Sequence, residues 1–428
     1  MNTSPFQIVL YVIFGLGALI GLFVFATYSS KTDTSGIGTV VIWGTLPSAG
    51  VQATLTAISS VDPTFKGASY VEKNALSLPS DLATAIATNA GPDLILTSHE
   101  QLQSLSKFLN PIPYDTLSAS AFSTSFIAGA DIFTAPAGSG YYGIPFLVDP
   151  LLLFSNRAIL ASSGVGRPPA QWEAFVGLVP SVAVVTPSRE ISRGLVALGT
   201  YDNVKNARAI LSSLFLQQGV LISGYSATGA LAADLGSSAG GSAVLSFYAQ
   251  FADPAKVSYT WNASQGNSRA EFLSGDLALY FGYLSEAPEL RKANPNLNFE
   301  VSALPQPGTA TLKSGYGLIY GFLFPRGSAN IAGAYQVASR LASAEQAVAA
   351  QATGLAPVSY ASLSATPSDP VATVGYASAL YTRGWLSPSA GDTDALFSGM
   401  IGSVISGRLS IQAALSVTER ALTTLLQR

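Results

Sequence analysis

The 428-residue sequence contains no cysteine, one histidine and only 11% charged residues. The absence of cysteine excludes disulfides, thiolate metal sites, cysteine nucleophiles and a lipid anchor on an N-terminal cysteine. The 21 Lys and Arg are scattered, and the net charge is −3. Without a basic patch, the sequence argues against a nucleic-acid partner. It also lacks H-E-x-x-H and P-loop motifs, and we expect no metal site and no cofactor.

A long apolar run without charge stands at the N-terminus, at residues 6–28. As a helix it would extend about 34 Å, enough to cross a bilayer. No basic residue precedes it, and Ala26-Thr27-Tyr28 fits a cleavage site poorly. These features favour a retained transmembrane anchor (1–28) over a cleaved signal peptide. The polar, glycine-containing residues 29–38 are predicted to be a linker.

Apolar runs of strand length alternate with segments of helical period in the next hundred residues. The predicted strands are 40–43, 68–71 and 93–97, and the predicted helices are 49–60, 80–89 and 101–108. This alternation predicts an α/β fold with a mostly parallel sheet, whose ligand sites lie at the carboxyl ends of the strands. Further helices are predicted at 170–178, 203–217, 331–351 and 410–427, and loops at 223–242 and 359–375.

Several short motifs then follow in a characteristic order. They are DLATAIATNAGPDLI at 81–95, GIPFLVDPLLLFSNR at 143–157, PPAQWEAF at 168–175, FLSGDLALY at 272–280, VSALP at 301–305 and GLAPV at 354–358. Together they resemble the family 1 extracellular solute-binding proteins, the group that includes maltose-binding and other sugar-binding receptors of bacterial importers. The chain departs from this family in having a membrane span instead of a lipidated cysteine or a cleaved signal.

The resemblance implies a two-lobed α/β fold of the periplasmic-binding-protein type, with a hinge, after the one N-terminal transmembrane helix. The expected first lobe comprises residues 39–146 and 305–358, and the second comprises residues 147–304 and 359–428. The body would lie on the extracytoplasmic side of the cell membrane.

Candidate polar ligand-binding residues follow from the same resemblance. It places Glu100 and Ser98 at the mouth of a strand, Asp149 on the crossing strand, and a second-lobe loop of Ser188, Arg189 and Glu190 near the ligand. Alternatively, Glu100 caps the next helix, and the loop is an exposed, salt-bridged helix start. His99, the lone histidine, is expected to be a surface or capping group.

Aromatic residues that could stack on a sugar ring are Trp43, Tyr283, Tyr316 and Tyr320, with Trp261 and Trp385 in reserve. Each could instead be a core residue. Asp93 and Asn156 are expected to fix turns through hydrogen bonds to the backbone.

The resulting hypothesis is a membrane-tethered receptor that captures a small polar ligand, a carbohydrate, and delivers it to an ABC permease. The membrane contact would be made by residues 6–28, and no enzyme activity is expected. Two alternatives remain open: a membrane-anchored glycan-processing enzyme that uses Asp149 with Glu100, and an adhesion or scaffold protein that retains the fold.

Overall fold

The fold is described from a computed structural model for residues 36–226, 229–236 and 239–427. The predicted anchor and residues 29–35 of the predicted linker lie outside these residues. Among the residues described, no helix combines the length and the apolar character needed to cross a membrane.

The described strands alternate with helices along most of the chain. The strands are β1 Val40–Gly44, β2 Ala68–Glu72, β3 Leu94–Ser98, β4 Gly143–Asn156, β5 Val184–Val185, β6 Ile191–Val196, β7 Gly224–Tyr225, β8 Leu231–Ala232, β9 Leu277–Tyr283, β10 Phe299–Ser302, β11 Gly315–Leu323, β12 Ala356–Pro357 and β13 Thr382–Arg383. The helices before β9 are α1 Ser48–Val61, α2 Leu78–Ala87, α3 Leu102–Leu105, α4 Ala119–Ser125, α5 Arg157–Ser162, α6 Glu173–Val182, α7 Ala207–Gln217, α8 Ala239–Ala249 and α9 Ser268–Ser274. Those after β9 are α10 Glu286–Ala293, α11 Ile331–Ala342, α12 Gln346–Thr353, α13 Tyr360–Leu363, α14 Pro370–Ala379, α15 Ala390–Ile405 and α16 Ile411–Leu426.

The main sheet is mixed, so the prediction of a mostly parallel sheet is wrong. Its strand order is β2-β1-β3-β11-β4-β9-β6-β5. The early βαβ units place β2, β1 and β3 in parallel, as predicted. Beyond β3, the pairs β3–β11, β11–β4 and β4–β9 are antiparallel. The alternation of strands and helices in the sequence covers only β1, β2 and β3. It therefore did not reveal the antiparallel pairing of β11 and β4.

Strand β4 joins two groups of elements because it changes its partner near its middle. Its first part pairs with β11, ending at Pro150 opposite Gly317, and its second part pairs with β9 from Leu151 onward. All 14 residues of β4 are buried, which agrees with its nearly continuous apolar sequence. A Cβ on Gly317 would lie 2.7 Å from the Asp149 carbonyl oxygen, so glycine permits the two strands to approach closely here.

Two predicted loops and one predicted helix are corrected by the structure. Residues 331–351 form two helices, α11 and α12, because the backbone leaves helical geometry at Ser343 (φ −118°, ψ −84°). The segment 223–242 contains the hairpin β7–β8 and the start of α8, and 359–375 contains α13 and the first six residues of α14. The many small residues of 223–242 and 359–375 form no apolar stripe from which a helix could be predicted. Tertiary packing nevertheless stabilises helices there.

The last helix, α16, confirms the helix predicted at 410–427. It turns one apolar face to the core, since Leu415, Thr418, Leu422 and Leu426 are buried. The helix packs on α8, α15 and β8. The C-terminal helices therefore pack together with α7, α8 and β8.

Candidate functional site

The candidate site lies where several strands end beside the partner change of β4. Tyr283, the last residue of β9, is paired with Leu151, and Leu318 of β11 is paired with Asp149. The end of β3 reaches the same region, since Ser98 is paired with Tyr320. Strands β3 and β11, on one side of the partner change, and β9, on the other side, therefore bring residues to the same site.

Glu100 lies in the short 3₁₀ turn His99–Gln101 that follows β3, and it is 8% exposed. Its Oε1 accepts a hydrogen bond from the Tyr316 hydroxyl, and its Oε2 accepts one from Arg208 Nη2 at 3.0 Å. Both carboxylate oxygens therefore bind side chains from other elements. The alternative in which Glu100 caps the next helix is not supported by these contacts.

Arg208, in the first turn of α7, connects Glu100 to a second carboxylate. Its Nε lies 3.4 Å from Asp394 Oδ1, at the start of α15, and Tyr201 donates to the same oxygen at 2.6 Å. The Nη1 of Arg208 is buried and has no hydrogen-bond partner within the described residues. A buried donor without an acceptor is costly, so this atom is suited to an acceptor on a ligand.

These residues border a cavity of about 470 Å³, which falls within the usual range for small-molecule sites. Its lining includes Glu100, Tyr201, Arg208, Tyr283, Leu318 and Asp394. Burial, together with the nearby Glu100, raises the pKa of Tyr283 well above its usual value. Its hydroxyl is therefore a neutral group at physiological pH, able both to donate and to accept.

Sequence reasoning identified Glu100 and Tyr283 but missed Arg208, Tyr201 and Asp394. A usable signal existed for Arg208: it is the only charged residue in α7, among buried neighbours such as Ala207 and Ala209. A lone charge in such a helix needs a partner. No local spacing connects it to Asp394, which is 186 residues away in sequence.

Asp149 is buried, and its side chain contacts the turn after β9. Oδ1 accepts from the Ser285 backbone nitrogen at 3.0 Å, and Oδ2 accepts from the Ser285 hydroxyl at 2.6 Å. Burial raises the pKa of Asp149 to about 7. Asp149 thus lies beside the site with its carboxylate already engaged, and it does not line the cavity.

The other predicted aromatic residues have distinct surroundings. Tyr316 is 1% exposed and supports Glu100 through its hydroxyl. Tyr320 is half-buried near Ser98. Trp43 is half-buried, and the Lys73 ammonium lies 3.9 Å from its ring centroid, so one ring face already has a cation over it. The reserves Trp261 and Trp385 are both core residues, 0% and 4% exposed.

The loop of Ser188, Arg189 and Glu190 is not brought to the cavity. It is an exposed turn between β5 and β6. Since β6 runs parallel to β9 with Gly194 opposite Leu277, the turn precedes β6 at the end of the sheet away from Tyr283. It is not a salt-bridged helix start either, because Arg189 and Glu190 form no ion pair within the described residues.

The lone histidine is also placed differently from the expectation. His99 is 0% exposed, and its Nδ1 accepts from the Ile319 backbone nitrogen at 3.2 Å. Burial and the nearby Arg208 lower its pKa to about 3, so the ring is neutral. His99 packs edge-on against Tyr316 and is a core residue behind the site, which corrects the prediction of a surface or capping group.

The predicted structural roles of Asp93 and Asn156 are confirmed. Asp93 accepts from the backbone of Val41 and Asn330. Asn156 caps α5 by accepting from the Ile159 nitrogen. Among the described residues, no group of three or more His, Asp or Glu side chains could hold a metal ion.

A family model described as bacterial extracellular solute-binding protein matches residues 69–373. The chain belongs to this family. The resemblance inferred from the motifs is thus confirmed. No curated protein matches this solute-binding protein by sequence.

Solved structures of similar fold extend over nearly the whole described chain. The GacH receptor of Streptomyces glaucescens is 17% identical with a TM-score of 0.68, covering 91% of this chain and 98% of the receptor. The cyclic α-maltosyl-1,6-maltose binding protein of Arthrobacter globiformis is 14% identical with a TM-score of 0.74, covering 91% and 99%. The sugar-binding protein MalE of Xanthomonas citri is 20% identical with a TM-score of 0.72, covering 91% and 97%. At these identities the similarity establishes that the solute-binding protein shares their fold.

Proposed function

We propose that this solute-binding protein captures a small polar carbohydrate in the cavity beside the partner change of β4. The observation that carries the proposal is the cavity itself, which is lined by Glu100, Arg208, Tyr283 and Asp394 and beside which the Arg208 Nη1 donor is buried without a partner among the described residues. Sugar hydroxyls supply both acceptors and donors, and Glu100 and Asp394 add charged acceptors. Binding without turnover fits a site where Glu100 is already tied to Arg208 and Tyr316.

The similar structures support a saccharide as the ligand class. The GacH receptor was solved with acarbose and an acarbose homolog, and a cyclo/maltodextrin-binding protein was solved with maltotetraose. The latter is 15% identical with a TM-score of 0.73. Maltotetraose and acarbose are therefore suitable first probes.

The proposed lobes keep the predicted boundaries, 39–146 with 305–358 and 147–304 with 359–428. Glu100 would then belong to the first lobe, and Arg208 and Asp394 to the second. A ligand that contacts residues from both lobes stabilises the closed arrangement, because only that arrangement offers both sets of contacts.

The proposed cellular role is delivery of this ligand to an ABC permease, with residues 6–28 as a single-pass anchor and the body outside the cytoplasmic membrane. Apolar length and the absence of a preceding basic residue support the anchor. Sequencing of the mature N-terminus tests it. We expect residues 6–28 to be retained; a mature chain starting at or after Tyr28 would rule out the anchor.

Isothermal titration calorimetry of the full-length chain tests the ligand class. The detergent must lack a sugar headgroup, since a maltoside would compete for the site. We expect one molecule of maltotetraose or acarbose to bind per chain, and mass spectrometry to recover the saccharide intact. Absence of binding across a broad saccharide panel would contradict the proposal, and recovery of shortened products would favour the glycan-processing alternative.

A further inference from the structure

The buried carboxylate of Glu286 lies outside the cavity and connects the start of α7 with the end of β9, two elements that contribute residues to the cavity lining. Glu286, the first residue of α10, is 9% exposed. Its Oε1 accepts from Asn206 Nδ2 at 2.7 Å and from the Tyr283 backbone nitrogen at 2.9 Å. Its Oε2 accepts from the Tyr280 hydroxyl at 2.5 Å. Glu286 does not line the cavity.

The link to Asn206 matters because this residue has a strained backbone. Asn206 has φ +63° and ψ +24°, a left-handed conformation that costs energy for a residue other than glycine. It immediately precedes α7, and its side chain also donates to the Phe281 carbonyl at 3.2 Å. These hydrogen bonds hold Asn206 in the conformation from which α7 begins.

Arg208 stands two residues beyond Asn206, so the direction of its side chain depends on how α7 begins. Tyr283 is fixed to the same carboxylate through its backbone nitrogen. Arg208 and Tyr283 lie on different elements and both line the cavity. We propose that Glu286 is a positioning residue that holds Arg208 and Tyr283 in register for the ligand. This inference rests on the proposed binding function of the cavity.

The matched control is Glu289, one turn further along α10. Its carboxylate contacts Arg269 at 3.2 Å, as Glu286 contacts Arg269 at 3.6 Å, but its side chain is 69% exposed. Glu289 makes no contact with Asn206 or Tyr283 among the described hydrogen bonds. A substitution at Glu289 therefore removes its ion pair with Arg269 but leaves the hydrogen bonds of Glu286 to Asn206 and Tyr283 in place.

The first test needs no ligand. Arginine side-chain NMR of the full-length chain reports on the Arg208 Nε–H group. We expect Glu286→Ala to shift or broaden this signal, Glu286→Gln to do so less, and Glu289→Ala to leave it unchanged. An unaltered Arg208 signal in a folded Glu286→Ala protein would overturn the inference, even if no saccharide binds.

The second test uses maltotetraose affinity. We expect Glu286→Ala to weaken binding at least tenfold in wild type and by a smaller factor in the Arg208→Gln background, because part of its effect acts through Arg208. Asn206→Gly should recover part of the loss in the Glu286→Ala background, since glycine adopts positive φ without support. Additive losses without glycine rescue would indicate a merely structural role and contradict the inference. If wild type binds no saccharide, the proposed function fails while the NMR result still decides the role of Glu286.

Discussion

Individual residues differ in how far the sequence revealed their roles. Asn156 was predictable because its partner lies in the first turn of the helix that follows it, where short polar side chains bind the backbone. Asp93 was also predicted to bind the backbone, although its partners Val41 and Asn330 lie in distant segments. Glu100 was predictable from its position after β3. Arg208 was not, because its partners Glu100 and Asp394 come from segments far away in sequence. Such partnerships depend on the folded arrangement of the elements.

Arg208 gives the sharpest prediction at the scale of one residue. We expect Arg208→Gln to weaken maltotetraose binding at least tenfold, because it removes the partner of Glu100 and the buried Nη1 donor. Titration calorimetry measures this change. Arg291→Gln is the control, since Arg291 is 52% exposed and its nearest carboxylate is 3.8 Å away. Equal affinity in wild type and Arg208→Gln would contradict the site.

Because the Asp149 carboxyl is buried, the free energy of unfolding should depend on pH. Burial raises its pKa from 3.8 to about 7 in the folded chain, so the unfolded chain loses its proton first as the pH rises. This residue therefore lowers the free energy of unfolding between about pH 4 and pH 7, by at most about 1.4 kcal/mol per pH unit. Asp149→Asn keeps a similar shape and has no such titration. The stability of the variant relative to wild type should rise across that interval in denaturant unfolding; a constant difference would contradict the assignment.

At the scale of elements, strong periodicity was informative and small-residue composition was not. The strands near 40–43, 68–71 and 93–97 and the helix α16 were predicted correctly to within a few residues. The hairpin β7–β8 and helix α14 were missed because Ser, Gly, Thr and Ala give no apolar stripe. Helix α14 is stabilised by packing against β4 and β12, and the hairpin by packing of β8 against α16.

Helix α16 provides a test of element packing. Leu422 is fully buried in the core, and Val417, on the same helix, is 48% exposed. We expect Leu422→Ala to lower the free energy of unfolding by about 2–5 kcal/mol, the usual cost of such a cavity. Val417→Ala should change it by less than about 0.5 kcal/mol. Urea unfolding measures both, and similar effects of the two variants would show that α16 does not pack as described.

At the scale of the whole molecule, the family motifs gave the fold class, although the sheet is mixed rather than mostly parallel. The motif at 143–157 corresponds to β4, which pairs with β11 in its first part and with β9 in its second. Its partner change could not be deduced from its own sequence, because a fully buried strand reads as one apolar run throughout.

Closure of the proposed lobes is measurable in solution. If maltotetraose contacts residues of both lobes, it shifts the population towards the closed arrangement. We expect saturating maltotetraose to lower the radius of gyration of the protein in small-angle X-ray scattering. Arg208→Gln should need a higher saccharide concentration for the same change. Unchanged scattering with bound saccharide would contradict the hinge.

Hydrogen–deuterium exchange with and without saturating maltotetraose tests most directly whether the ligand binds in this cavity. The residues that line the cavity include Glu100, Arg208 and Tyr283, which belong to three separated segments. We predict slower amide exchange in residues 97–102, 201–210 and 281–286 together. The surface groove near Phe247 and Ile405, which shares no lining residue with the cavity, serves as the internal control and should be unaffected. Protection of that groove, or no protection in the three cavity segments when saccharide is bound, would contradict the proposed site.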